Sequence, residues 1–97
     1  MDVHSYEEPV FIISVVADLL EMHPQTLRFY ERQELVVPRR TDSGQRLYSR
    51  KDLDDIKEIR VLTREKGVNL AGVRIILELR RENERLRTAI SERGATV

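Results

Sequence analysis

Few side chains in this 97-residue chain could do acid–base or metal chemistry: two histidines, His4 and His23, and a cluster of acids at Asp52, Asp54 and Asp55. Neither histidine has a nucleophile or carboxylate at a spacing that builds a catalytic set, and His23 reads more simply as a capping or phosphate-facing residue at a helix start. Cysteine is absent, which removes thiolate metal sites, disulfides and cysteine nucleophiles together. The three aspartates fall in the first turn of a candidate helix, where the helix dipole favours acids without any chemistry. The expectation is therefore no enzyme, no metal and no cofactor.

A different chemistry is legible between positions 24 and 51. That stretch carries seven basic side chains (Arg28, Arg32, Arg39, Arg40, Arg46, Arg50, Lys51) against three acids, in a chain whose 17 basic and 17 acidic groups otherwise balance. Residues 1–23 hold five acids and no Lys or Arg. A local basic patch of this kind is the electrostatic footprint of a nucleic-acid contact. Within it, Gln25, Arg28, Phe29 and Arg32 share one side of a helical wheel, while Leu27, Tyr30 and Glu31 share the other. Glutamine and arginine can pair with adenine and guanine edges in a major groove, and arginine can also grip phosphate.

The elements that would position these groups follow from periodicity and punctuation. Residues 1–10 read as a flexible arm. Ser14 is a candidate N-cap for a first helix carrying Val15, Val16, Leu19 and Leu20, which runs to about Glu21. Pro24 suits the first position of a second helix, because the N–H it lacks would be unpaired there anyway, and that helix ends near Gln33. Two short helices so closely joined predict a helix-turn-helix. Next come two extended arms around Asp42, Ser43 and Gly44, a hairpin signal, with Arg39, Arg40, Arg46 and Tyr48 on the arms where a wing could follow the sugar–phosphate backbone. Ser49 and Asp52 form a capping pair for a third helix marked by Leu53, Ile56, Ile59 and Leu62 and ended by Gly67. Asn69 caps the last helix, in which Ile76, Leu79, Asn83, Leu86 and Ile90 alternate spacings of three and four, the a/d seam of a short coiled coil with a register-fixing Asn.

The fold class expected is mostly α: a winged helix-turn-helix over residues 11–68, a dimerisation helix over 69–92 and a disordered tail over 93–97. The longest apolar run is too short to span a bilayer and has no basic segment before it, so a cytoplasmic protein is expected. Two readings compete with a dimeric DNA-binding regulator of this type. One is an activator that distorts promoter DNA through the same headpiece. The other is a protein-interaction adaptor whose arginine-rich hairpin is merely solvated surface.

The combination of HPQTLRFYERQELVVPRR, a glycine-containing wing ending in QRLYS and the capped helix DLDDI closely resembles the DNA-binding half of the MerR family. MHPQTLR and KGVNLAGVRIILEL are similar to its heat-shock repressor (HspR) branch, and the resemblance spans residues 11–87. It implies a homodimer joined by C-terminal helices that represses chaperone and protease genes from an inverted-repeat operator, with the DnaK chaperone as co-repressor. Carried over residue by residue, it assigns DNA binding to Gln25, Thr26, Arg28, Phe29 and Tyr30 on the second helix and to Arg39, Arg40, Arg46 and Tyr48 on the wing. Phe29 stands where many relatives have tyrosine, so a hydroxyl contact to phosphate is missing there. The polar end SERGATV likewise departs from relatives with an apolar tail that a chaperone could hold.

Overall fold

The computed structural model describes residues 5–94. The expectation about His4 lies outside that range, as do residues 95–97 of the tail. In chain order the elements are strand β1 (Phe11–Ile12), helices α1 (Ile13–Leu20) and α2 (Pro24–Arg32), strands β2 (Arg39–Arg40) and β3 (Arg46–Tyr48), helix α3 (Arg50–Arg60) continued by a π-helical turn (Val61–Glu65), and the long helix α4 (Leu70–Gly94).

Local signals account for most of these boundaries. Pro24 opens α2 behind His23, whose Nδ1 accepts the Gln25 N–H at 3.0 Å, so that histidine is a cap. Ser49 and Asp52 cap α3 reciprocally: the Ser49 hydroxyl accepts the Asp52 N–H at 3.0 Å, and the Asp52 carboxylate accepts the Ser49 N–H at 2.9 Å. Asn69 Oδ1 accepts the Gly72 N–H at the start of α4. Gly67 adopts φ 65° in the turn before α4, a conformation that glycine reaches without steric cost.

Both helices of the helix-turn-helix end in the same way. After α1, the Glu21 N–H donates to the Asp18 carbonyl and the Met22 N–H to the Ala17 carbonyl. After α2, the Glu34 N–H donates to Glu31 and the Leu35 N–H to Tyr30. These are paired Schellman closures, with a left-handed glutamate at φ 52° and 60° where glycine is usual.

Three expectations need correction. Ser14 does not cap α1; the helix starts two residues earlier, with Ile12 at the cap position and no side-chain bond, because the chain enters from strand β1. That strand gives the sheet the order β1-β3-β2, all antiparallel, with Phe11 opposite Tyr48 and Arg39 opposite Leu47. Nor is the segment before it a loose arm over residues 5–10. The Val10 N–H donates to the Tyr48 carbonyl, the Lys51 N–H to the Tyr6 carbonyl, and the Tyr6 hydroxyl to Asp54 at 2.5 Å, which ties the segment across the start of α3. Finally, α4 is helical through Gly94, so Arg93 and Gly94 belong to the helix and not to a tail.

The core gathers residues from every helix. Val16, Leu27, Leu35, Tyr48, Ile56, Ile59 and Val73 are almost wholly buried, and Leu77 is the last core residue along α4. From residue 78 onward α4 projects from the domain with every position exposed.

Candidate nucleic-acid interface

Helix α2 presents the face expected of it. Leu27 and Tyr30 are buried, whereas Gln25, Phe29 and Arg32 are exposed and Thr26 and Arg28 are half-buried. Phe29 does not stand bare, since the Arg32 guanidinium lies 5.9 Å from its ring centroid, a cation–π arrangement that shields part of the ring. Arg28 has no ion-pair partner among the described residues. Its charge is therefore available to a base edge or a phosphate.

The wing is held to α2 by a residue read only as part of the core side. Glu31 accepts Arg40 Nη2 at 2.7 Å through one carboxylate oxygen and Arg46 Nε at 2.5 Å through the other. Arg40 also donates through Nη1 to the Gly44 carbonyl at 2.9 Å, closing the turn of the hairpin. Burial by itself would raise the Glu31 pKa, but the hydrogen bonds from Arg46 and Arg40 outweigh it and hold the carboxyl below its ordinary value. One glutamate thus fixes the wing's angle to the helix, and it leaves Arg39 as the exposed wing cation without an ion-pair partner among the described residues. The signal available in sequence was an acid between Arg28 and Arg32 inside a basic segment.

Two of the expected contact residues are placed elsewhere. Tyr30 is 6% exposed and Tyr48 only 1%, so both rings are core. Tyr48 occupies the last position of β3, between β1 and the helices, and burial raises the pKa of its hydroxyl. Both rings support α2 and the wing from the core side. Of the wing arginines, Arg46 is spent largely on Glu31, with its side chain 24% exposed, while Arg40 keeps an exposed edge.

On α4, Leu79, Leu86 and Ile90 are 63%, 46% and 68% exposed and Asn83 is exposed between them. Ile76, the first residue of the expected seam, packs partly against its own core. The apolar stripe therefore begins where the helix leaves the domain. Among the described residues no group of three or more His, Cys, Asp or Glu could hold a metal ion, and no helix is long and apolar enough to cross a membrane.

The sequence profile of the MerR HTH family regulatory proteins matches residues 11–79. The chain belongs to the MerR family. Among curated relatives of this MerR chain, the putative heat shock protein HspR of Streptomyces coelicolor is 40% identical over 91 residues, covering 94% of the chain and 60% of the relative. The HTH-type transcriptional regulator GlnR of Bacillus anthracis is 40% identical over 76 residues, covering 78% of the chain and 57% of the relative. The MerR chain thus spans rather more than half the length of these proteins. Two solved structures share its fold: a MerR family transcriptional regulator from Bacillus cereus, at TM-score 0.62 and 23% identity, covers 87% of the chain and 69% of its own length. HiNmlR, a MerR family regulator lacking the sensor domain and bound to promoter DNA, aligns at TM-score 0.60 and 20% identity over 90% of the chain and 79% of its own.

Because Glu31 carries a depressed pKa, it links the wing to pH. Its contribution to stability is fully present above the ordinary carboxylate value of 4.5 and is lost as pH falls through the lower value it has in the folded protein. Glu31→Gln is expected to cost about 1 to 2 kcal/mol at neutral pH. In thermal unfolding followed from pH 7 downward, the gap between variant and parent should close below that value. A gap that stays constant with pH would show that the carboxylate charge does not hold the wing.

Proposed function

We propose that the protein is a sequence-specific DNA-binding transcriptional repressor that acts as a homodimer on an inverted-repeat operator. The observation that carries this reading is the Glu31 clamp, which turns α2 and the wing into one rigid reading unit. Within that unit Gln25, Thr26, Arg28 and Phe29 face the major groove, and Arg39 with the exposed edge of Arg40 lies along the backbone. Dimerisation is supported by the stripe of Leu79, Asn83, Leu86 and Ile90 on the projecting half of α4, which has the spacing of a coiled-coil seam and is exposed among the described residues. Two heads related by a two-fold axis require two half-sites of matching symmetry. Control of heat-shock genes is supported by the identity with the Streptomyces coelicolor HspR over nearly the whole chain. Such a regulator works in the cytoplasm.

The test is selection of the tightest duplexes from a random library by purified protein, with titrations of the winners at several salt concentrations. An inverted repeat with a steep salt dependence is the expected result. Recovery of no sequence, with a flat salt dependence, would replace this reading with that of a protein-interaction adaptor. Transcription in vitro from a promoter carrying the selected repeat then separates repression from activation.

A further inference from the structure

The two Schellman closures of the helix-turn-helix leave the carbonyl just before each left-handed glutamate outside their own hydrogen-bond pattern, that of Leu20 after α1 and that of Gln33 after α2. Both carbonyls are taken by an arginine from a helix far along the chain. Arg60, near the end of α3, donates through Nη1 to the Leu20 carbonyl at 2.5 Å, and Arg74, in the second turn of α4, donates through Nη2 to the Gln33 carbonyl. A cation at a helix C-terminus is favoured by the dipole and by the unpaired carbonyls there. The two arginines nevertheless bind different helices to different supports. Arg60 joins α1 to α3 inside the headpiece, whereas Arg74 joins the groove-facing helix directly to the helix that projects from the domain.

The Arg74 arrangement is poor as a stabilising device. Its Nε is buried with no hydrogen-bond partner among the described residues, and a buried unpaired polar atom costs free energy that an apolar side chain of the same length would not. What the bond does supply is geometry. Val73 and Leu77 anchor the same stretch of α4 in the core, one on each side of Arg74 in sequence, so the guanidinium is held on a rigid support. Small pivoting of α2 against α4 would break the contact with Gln33.

We propose that Arg74 is the positioning residue that sets the angle between the reading helix and the dimer helix, and so determines which separation of operator half-sites the protein accepts. This rests on the dimeric reading above. Changing the separation by one base pair rotates one half-site by about a tenth of a turn around the duplex. A dimer whose heads are fixed to their α4 helices cannot follow that rotation, and one whose heads pivot can. Binding to an isolated half-site, which uses one head, is independent of the angle.

The experiment measures affinity for duplexes in which the half-site separation of the selected operator is lengthened or shortened by one and two base pairs, and for a single half-site. The parent protein is compared with Arg74→Met and Arg60→Met, each of which keeps the apolar stem and removes the donor. The parent is expected to show a sharp optimum. In Arg74→Met the preference for the best separation over its neighbours should fall by about a factor of ten, the equilibrium equivalent of one charge-assisted hydrogen bond, with half-site affinity unchanged. Arg60→Met should weaken all duplexes in proportion and keep the optimum. An Arg74→Met profile as sharp as the parent's overturns the inference while leaving the dimeric regulator intact; a parent with no optimum at all overturns both. Arg74→Lys, which keeps a donor, carries the test if the methionine variant does not fold. The flexible ammonium stem holds the Gln33 carbonyl less rigidly than the planar guanidinium, so a partly broadened lysine profile supports the positioning role and one identical to the parent's overturns it.

Discussion

Replacing Leu86 with glutamate is expected to make the protein sediment as a monomer and to lower its affinity for an inverted repeat by about two to four orders of magnitude, with half-site binding unchanged. Leu86 lies on the projecting half of α4 and is 46% exposed in the single chain, so the change touches no core residue. Glutamate is as good a helix former as leucine to within a few tenths of a kcal/mol, and the helix itself should persist. In a two-fold seam, however, the substitution takes two charges out of water, one from each chain, a cost that the short stripe of Leu79, Leu86 and Ile90 cannot offset. The loss of operator affinity is then the loss of the effective concentration with which one bound head presents the other. Sedimentation and titration must change together. A variant that remains dimeric would place the seam elsewhere, and a monomer that still bound the repeat as tightly as the parent would remove dimerisation from recognition.

The second large effect is expected at Arg28. Arg40 and Arg46 are committed to Glu31, which leaves Arg28 as the cation on the outward face of α2 best placed to read a base. Arg28→Met keeps much of the half-buried stem, so that lost packing contributes little, and removes the guanidinium fork. If the fork pairs with a guanine edge, the cost is about 1 to 3 kcal/mol per half-site and therefore roughly twice that on a symmetric operator. Binding to random duplexes should hardly change, and specificity should relax at a single position in each half-site. Equal losses on operator and random DNA, with a smaller salt slope, would instead make Arg28 a phosphate contact. The contrast with Glu31→Gln is informative: that change disturbs the wing and acid stability, whereas Arg28→Met alters base preference in an intact headpiece.

The roles of Glu31, Arg60 and Arg74 show how far residue type alone reaches. Glu31 and Arg60 are charged side chains in segments rich in charge, Arg74 is the one charge between Lys66 and Glu78, and in each case the immediate neighbours do not say what the side chain binds. Glu31 meets Arg40 and Arg46 only because the hairpin folds back on α2. Arg60 and Arg74 reach carbonyls 40 and 41 positions away. Tyr30 and Tyr48 show the converse: aromatic residues in a basic segment resemble stacking or phosphate contacts until packing buries them.

What the amino-acid sequence determined by itself was whatever depends on contacts within a few residues. The two helices of the helix-turn-helix, the Ser49–Asp52 capping box, the cap at His23 and Pro24, the hairpin around Gly44 and the three–four spacing along α4 are all local, set by backbone preference, capping hydrogen bonds and side-chain periodicity. The tertiary structure alone decided the third strand at Phe11–Ile12, the tying of residues 5–10 across α3, the burial of the two tyrosines and the clamps that orient α2 and the wing. Those contacts exist only once chain segments distant in sequence are brought together by the shared core, so their partners cannot be read from spacing.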